Sequence, residues 1–337
     1  MGKDTKSICV QMHTDEQCAL RKSTHDTKYT EAEKFQRSMR KPTRKKHFSL
    51  HIAYQLYYQN PDSSLRKAYQ RSIYCSDTYA PTEEGTLQTH RCRGRWCPVC
   101  ASIQTAQMIA GYAPQLAKLD DLWFVTLTRP TVTAEELPEQ IKTYQSVWSL
   151  MTRQRYWKAT KPKGLRKMEC TIRPEGRYHY HWHIIIQGED NARWLIDQWL
   201  RRNPDSDRAA QDMRRVDNGG YIELFKYFTK LMAVDKSTGK RYIDFKRLDV
   251  IFQAIQGKRV YQPFGGLTKV EEEIDDSKLI ATDVPVEFLR LWKWMTGVGY
   301  VDYQTGEVLT GDYELPEWVA QLTGGEVTEE QLPEQPR

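Results

Sequence analysis

The run from Arg177 to Gln187 reads Arg-Tyr-His-Tyr-His-Trp-His-Ile-Ile-Ile-Gln, which places three imidazoles at alternate positions before the chain turns apolar. Successive side chains of a β-strand point to opposite faces, so a strand here puts His179, His181 and His183 on one face. A lone histidine on a strand is usually an ordinary surface or core residue. Three on one face indicate a metal site, because neutral imidazole is the commonest metal-binding side chain.

A second predicted strand, residues 164–172, precedes the histidines and contains Glu169. The turn residues Pro and Gly between the two strands predict a hairpin centred near Glu175. That centre places Glu169 opposite His181, where cross-strand partners lie about 5 Å apart at Cβ. Glu169 can then reach the same ion as His181 and His183. A register slip by one residue would turn the carboxylate to the other face.

Four of the seven cysteines lie close together in the first third of the chain: Cys75, Cys92, Cys97 and Cys100. Four thiolates suffice for a closed tetrahedral zinc site, and a CxxC turn lets two sulfurs reach one ion. His90 is an alternative to Cys75 as the fourth ligand. A redox pair is the competing interpretation, but no βαβ pattern surrounds the CxxC. Seven cysteines, an odd number with four of them clustered, also fit a metal site in a reducing compartment better than a disulfide framework.

Arginines alternate with the cysteine ligands at Arg91, Arg93 and Arg95. On a rigid metal-bound segment they are expected to make phosphate contacts. Residues 1–50 hold 12 Lys and Arg against 6 acids, so the basic excess of the chain, formally +6 in total, lies at its front. This balance permits a polyanionic partner without demanding one.

The segment from Tyr221 to Met232 has apolar residues at helical spacing. On a helix, Glu223, Tyr227 and Lys230 share a face with Lys226 beside them, because positions three and four apart are neighbours. An acid, a phenol and two ammonium groups together are typical of a reactive site. The alternative is an ordinary amphipathic helix with a buried tyrosine.

The order of elements predicts an α+β fold with an antiparallel sheet of ferredoxin-like, RRM-like type. It runs strand, helix, two antiparallel strands, helix, strand and tyrosine helix. No stretch approaches the roughly 20 apolar residues of a membrane span, and the start lacks the apolar core of a signal peptide. We therefore expect a cytoplasmic protein without a membrane partner.

The ordered motifs resemble the HUH endonucleases, and within them the rolling-circle plasmid replication initiators with a cysteine-rich segment before the catalytic domain. The motifs stand here as Cys97-Pro-Val-Cys100, Phe124-Val-Thr-Leu-Thr128, Glu169, His181-Trp-His183 and Glu223-Leu-Phe-Lys-Tyr227-Phe-Thr-Lys230. An HxH alone is weak, but the ordered set over residues 75–267 is specific. The chain departs from the family pattern after Cys100, where Ala101-Ser-Ile-Gln replaces Trp-Arg-Arg, and at Tyr180, where proline is common.

The resemblance implies a catalytic Mn²⁺ or Mg²⁺ ion bound by His181, His183 and Glu169, with His179 behind these ligands or facing the DNA. It also implies a separate structural Zn²⁺ on the cysteines. Mixed nitrogen and oxygen ligands with open positions suit the catalytic ions. The expected partners are single-stranded or hairpin origin DNA, a host helicase and a DNA polymerase. No oligomeric state is predicted.

The same resemblance makes Tyr227 the nucleophile that forms a 5′-phosphotyrosine and frees a 3′-OH primer. Lys226 and Lys230 would assist the phenol, whose ordinary pKa near 10 is too high for attack at neutral pH. Glu223 would activate water for the closing cleavage. Tyr221 is a reserve nucleophile on another face of the helix.

Four regions are expected from these patterns: a basic, disordered arm at 1–47, a helical and zinc-binding module at 48–105, an HUH nicking domain at 106–270, and a C-terminal region at 271–337. The last should contain an acidic linker, a helix over residues 284–295, a short hairpin and a disordered tail. Rival functions are a transposase or mobilisation relaxase of the same superfamily and, from another class, a zinc-knuckle DNA-binding protein without catalysis.

Overall fold

The protein is described from a computed structural model. It describes residues 29–217, 220–225, 233–234, 241–271, 284–311, 314, 316–317, 319 and 327–335. The helices are α1 Glu31–Gln59, α2 Arg66–Ile73, α3 Pro98–Leu116, α4 Leu137–Thr152, α5 Arg155–Thr160, α6 Glu189–Arg202 and α7 Phe245–Ala254. The strands are β1 Thr78–Pro81, β2 Leu87–Gln88, β3 Leu122–Thr128, β4 Gly164–Ile172, β5 Tyr178–Gln187, β6 Asp212–Arg215, β7 Ala233–Val234, β8 Arg241–Tyr242, β9 Tyr261–Phe264, β10 Trp292–Met295 and β11 Gly299–Asp302.

The main sheet has five strands in the order β6-β3-β5-β4-β9, and every neighbouring pair is antiparallel. The chain runs β3-α4-β4-β5-α6-β6, with short α5 between α4 and β4. This is the split βαβ arrangement of ferredoxin-like folds, with β9 added at the edge beside β4. The expected α+β fold with an antiparallel sheet is confirmed.

One face of this sheet packs on α4 and α6, and aromatic side chains fill the space between them. Tyr144 of α4 meets Tyr180, Trp182 and Trp199 with ring centroids 4.7, 5.2 and 4.6 Å away. The Tyr144 hydroxyl also donates to the Tyr180 carbonyl at 2.8 Å. Because strand side chains alternate, packing Tyr180 and Trp182 on this face turns the histidines of β5 to the other.

The expectation of a disordered arm over residues 1–47 is wrong from Glu31 onward, because helix α1 begins there. Thr30 caps the helix and forms a reciprocal capping box with Glu33. The buried residues of α1 recur every three or four positions; they include Phe35, Met39, Thr43, Lys46, Leu50 and Ala53. The stripe is hard to read in the sequence because two of these six are polar. Residues 1–28 lie outside the described part.

The ammonium group of Lys46 is buried between α1 and the segment after α2. It lies 2.9 Å from the Ile73 carbonyl and 3.2 Å from the Asp77 carboxylate. A buried charge is tolerated only when it is paired and hydrogen-bonded, and both conditions hold here. Lys46 therefore fastens α1 to the start of β1.

The C-terminal region differs from the sequence-based expectation of a helix over residues 284–295. A short 3₁₀ turn, Val286–Phe288, is followed by strand β10, whose side chains alternate between buried Trp292 and Trp294 and exposed neighbours. β10 pairs with β11 and with β1, giving a four-stranded sheet in the order β11-β10-β1-β2. The short hairpin expected in this region is present around residues 302–307, since Val301 and Val308 form an antiparallel β-bridge.

The expected tyrosine helix is described only at its start, where Gly220–Phe225 forms a 3₁₀ turn. The remainder of the predicted helix, residues 226–232, lies outside the described residues. The predicted boundary at residue 105 falls within α3, and one continuous apolar core includes Trp96, Tyr112 and Phe124. In the part of the chain that is described, no helix is long and apolar enough to cross a membrane.

Candidate active site

The hairpin of β4 and β5 sets the register of the histidine strand. Glu175 and Gly176 adopt the left-handed backbone that a tight turn needs, with φ of 66° and 75°. The register places Glu169 opposite His181 and Lys167 opposite His183. The pairing predicted from the sequence is thus present in the structure.

Glu169, His181 and His183 form a compact group that could hold a metal ion. The two carboxylate oxygens of Glu169 lie 3.8 Å from His181 Nε2 and 3.5 Å from His183 Nε2, and these nitrogens are 3.2 Å apart. Metal–ligand bonds of about 2.0–2.2 Å fit between atoms so spaced. Two nitrogens and a carboxylate leave coordination positions open, and His183, with 22% of its side chain exposed, lies on the solvent side.

Hydrogen bonds at the far side of each imidazole orient it toward the carboxylate. His181 Nδ1 lies 3.2 Å from the His179 carbonyl and can only donate to it, which leaves a lone pair on Nε2. His183 Nδ1 lies 3.1 Å from Thr126 Oγ1 on β3. Thr126 was not singled out from the sequence, although its parity on β3 matches that of Thr128 and places both on the histidine face.

The third histidine, His179, is held away from the proposed ligand atoms. Its Nδ1 lies 3.0 Å from the Arg173 guanidinium, which always donates, so Nδ1 accepts and Nε2–H points to Thr128 Oγ1. Its ring stacks on His181 at 4.9 Å. Burial, with the charge of Arg173, lowers the pKa of His179 to about 4, which keeps the ring neutral.

The protonation states of the metal-binding group suit a cation. Burial tends to raise the pKa of Glu169, but the hydrogen bond with His183 and the charge of Lys167 outweigh it, and the pKa falls to about 2. Burial and the neighbouring His183 lower the pKa of His181 to about 3. At neutral pH the group therefore presents a carboxylate and an uncharged imidazole nitrogen.

Lys167 is a second residue of this site that the sequence did not indicate. Its side chain is 1% exposed, and Nζ lies 3.6 Å from Glu169 Oε2. The buried ammonium balances the carboxylate charge in this low-dielectric surrounding. The spacing of Lys167 and Glu169, two positions apart on β4, could have indicated that both side chains lie on the same face of the strand.

Glu223 lies on the same face of the sheet as the histidines. Its carboxylate accepts a hydrogen bond from Arg214 of β6, whose guanidinium lies 4.6 Å from the Phe124 ring centroid. Phe124 in turn lies 5.3 Å from the His183 ring. The structure thus links Glu223 to the metal-binding group through two side chains. The other three predicted catalytic residues, Tyr227, Lys226 and Lys230, lie outside the described residues.

The four predicted cysteines form a second group that could hold a metal. Three sulfur–sulfur distances are 3.5 Å for Cys75–Cys100, 3.6 Å for Cys75–Cys97 and 3.7 Å for Cys92–Cys100. A tetrahedral site with Zn–S bonds of about 2.3 Å has sulfurs roughly 3.8 Å apart. His90 is exposed and outside this group.

Local backbone geometry supports thiolates at the cysteine group. Cys97 caps the N-terminus of α3, where the helix dipole favours negative charge, and the amides of Cys100 and Gly94 point at Cys97 and Cys92 sulfurs. Hydrogen bonds from Cys100, Cys92 and Cys97 lower the pKa of the Cys75 thiol well below its usual range. Burial raises the pKa of Cys97 in turn. A cation bound by all four sulfurs would deprotonate the remaining thiols, since a thiol that coordinates a metal loses its proton.

The three arginines predicted to bind DNA occupy different environments. Arg91 is buried, and Arg95 directs its guanidinium to the carbonyls of Ile255 and Lys258 near the end of α7. Arg93 is exposed, with a left-handed backbone at φ 57°. Arg93 is thus the most accessible of the three to a phosphate.

Comparison with known proteins gives two matches. Residues 85–191 match the family model described as "Replication protein". The chain is also 28% identical over 163 residues to a Staphylococcus aureus protein described as "Protein rep", covering 42% of this chain and 71% of that protein. No solved structure matches at a significant level. The family match includes Glu169, His181 and His183 and ends before Glu223.

Proposed function

We propose that this chain, which is similar to replication proteins over residues 85–191, initiates rolling-circle plasmid replication by nicking and rejoining single-stranded origin DNA. The observation that carries the proposal is the convergence of Glu169, His181 and His183 on one point of the sheet. That group lies within the span shared with the family.

The ligand set supports Mn²⁺ or Mg²⁺ as the catalytic ion, since a carboxylate with open positions suits both and imidazole favours Mn²⁺. A divalent ion held there would polarise the scissile phosphate as a Lewis acid. Thr126 and the His179 carbonyl orient the imidazoles of His183 and His181. The ammonium group of Lys167 balances the charge of the Glu169 carboxylate. The cysteine group is proposed to hold Zn²⁺ as a structural ion.

Tyr227 is the proposed nucleophile. Its phenolate oxygen would form the bond to phosphorus while the 3′-oxygen of the preceding nucleotide leaves and takes up a proton, giving a 5′-phosphotyrosine and a 3′-OH. Lys226 and Lys230 would stabilise the phenolate. Glu223 would accept a proton from the water that ends the cycle, and its place on the histidine face supports this role.

The 3′-OH would prime a host DNA polymerase, and a host helicase would separate the strands. Both partners, and a cytoplasmic location, belong to the proposal. The four regions at residues 1–47, 48–105, 106–270 and 271–337 are retained as proposed functional modules, with the arm beginning to fold at Glu31.

Covalent capture tests the proposed function. Full-length protein is incubated with labelled origin oligonucleotides and Mn²⁺ or EDTA and separated on a denaturing gel. We expect a metal-dependent protein–DNA adduct with the wild type and with Tyr221→Phe, and none with Tyr227→Phe. An adduct that persists in Tyr227→Phe would overturn the nucleophile assignment. Retained binding with no adduct in any sample would favour a DNA-binding protein without catalysis.

A further inference from the structure

The first half of helix α1 is strongly basic. Residues 34–45 contain six lysines and arginines, and the sequence has no acidic residue from Lys34 to Gln59. This segment lies outside the family match, which begins at residue 85. The proposed nicking reaction gives these charges no role.

The charges lie on the side of α1 that faces away from the core. The buried stripe on this half of the helix contains Phe35, Met39 and Thr43. Two positions after each of these, where the helix has turned by roughly 200°, stands a cation. This basic row consists of Arg37, Lys41 and Lys45. Arg37 and Lys41 are exposed and Lys45 is partly exposed, so the row is open to a partner.

The positive charge of the basic row is not compensated by carboxylates. In the part of the chain that the structure describes, none of its three side chains forms an ion pair with an acidic residue. Burial and the charges of Lys41 and Arg44 lower the pKa of Lys45. Like charges this close repel each other, and a bound polyanion would relieve the repulsion.

The chemistry of this side of α1 fits duplex DNA better than a single strand. Proteins that bind single strands combine basic groups with aromatic side chains that stack on the bases. Phe35 is the only aromatic residue within residues 34–45, and it is buried. The Tyr29 ring, just before the helix, lies under the Arg37 guanidinium at 4.0 Å. The side that carries the row therefore offers charge without a stacking platform.

The length of the basic row also suits a DNA backbone. Eight residues separate Arg37 from Lys45, which is about 12 Å along the helix axis. A duplex strand carries one phosphate per roughly 3.4 Å of its own axis, so the row spans about three to four phosphates. Three long side chains on one straight face can contact successive phosphates of one strand.

We propose that the basic row of α1 binds the phosphate backbone of double-stranded DNA, in the plasmid duplex that flanks the nick. Contacts to phosphates hold the duplex in place and carry no sequence information. The inference rests on the proposed function, since the duplex would be the one that contains the origin. It adds an anchoring surface in a part of the chain that the family match does not cover.

Salt-dependent binding tests the basic row. Anisotropy titrations use a labelled DNA duplex, EDTA and the full-length Tyr227→Phe chain, so that cleavage cannot contribute. The row variant carries Arg37→Gln, Lys41→Gln and Lys45→Gln, which keep good helix formers on α1. We expect the slope of log K against log salt to become shallower by about 2.7, since each neutralised phosphate contributes about 0.9. Affinity at 0.1 M salt should fall by at least about tenfold.

A control variant removes the same charge elsewhere. It carries Arg153→Gln, Arg155→Gln and Lys158→Gln, three exposed positions outside α1. Its affinity for the duplex should stay within about threefold of the parent chain, and its salt slope within about 0.5. A row variant that behaves like this control would overturn the inference. So would an equal loss of affinity for a single-stranded oligonucleotide, which would assign the row to single strands instead.

Lysine acetylation locates the contact. Saturating duplex should protect Lys41 and Lys45 from acetylation, as measured by mass spectrometry, while the exposed Lys158 stays reactive. Full reactivity of Lys41 and Lys45 in the complex would contradict the proposal. Covalent capture of a single-stranded oligonucleotide by the wild type is scored separately, so failure of this surface and failure of the nicking proposal are distinguishable.

Discussion

Replacement of Thr126 by valine tests whether a hydroxyl on β3 prepares His183 for metal binding. Thr126 Oγ1 lies 3.1 Å from His183 Nδ1, and valine preserves the side-chain shape while removing this partner. The hydrogen bond alone is worth about 1 kcal/mol. Its loss also frees the imidazole to rotate or to carry its proton on Nε2. We therefore expect Mn²⁺ affinity to fall about 10- to 100-fold, or about 1.4–2.7 kcal/mol.

Calorimetric titration of Mn²⁺ into full-length protein, with the cysteine group already loaded with Zn²⁺, measures this change. Thr128→Val is the matched control, because Thr128 lies on the same strand and face but contacts His179 rather than a proposed ligand. We expect it to change the affinity by less than about threefold. Wild-type affinity in Thr126→Val, with an unchanged unfolding midpoint, would refute the orienting role. So would a larger loss in Thr128→Val than in Thr126→Val.

Three further predictions concern other sites. Burial lowers the pKa of His51 to about 4, below its unfolded value of about 6.5, so stability should fall as pH drops below about 6.5. At pH 5 the buried neutral His51 lowers the free energy of unfolding by about 2 kcal/mol. Urea unfolding at pH 7 and pH 5 should therefore show a loss of stability that is about 2 kcal/mol smaller in His51→Asn than in the wild type. The exposed control His90→Asn should show the wild-type loss. Cys97→Ser should lose its zinc by elemental analysis, while Cys170→Ser, buried outside the cysteine group, should retain it. Glu223→Ala should leave the first nick intact and slow the second cleavage in a gel time course; equal loss of both steps would assign Glu223 a structural role.

The hairpin that carries the metal-binding group could be predicted from the sequence because all of its determinants are local. Alternating histidines fix the face, and the turn at Glu175 and Gly176 fixes the register. Thr126 could not be assigned to His183 in the same way, since β3 pairs with β5 across 57 residues of chain. Alternation along β3 gives the face on which Thr126 lies, but it does not give the residue that Thr126 contacts.

The errors toward the two ends of the chain share one physical cause. The buried face of α1 contains Lys46, whose burial depends on Ile73 and Asp77 rather than on its own helix. Residues 292–295 alternate buried and exposed as a strand does; one pairing partner, β11, is close in sequence, but the other, β1, lies far away. Local patterns do not show which distant segment will cover a side chain.

The pairing of β10 with β1 has a consequence for how the protein is made. β1 ends at Pro81, and its neighbour begins at Trp292, so about 210 residues must be synthesised before the sheet can close. At typical rates of about 5–20 residues per second, the edge of β1 waits roughly 10–40 s on the ribosome. During that interval an unpaired strand edge is open to wrong partners. A strand made late thus completes a sheet begun early, and expression at a slower translation rate should prolong this vulnerable period.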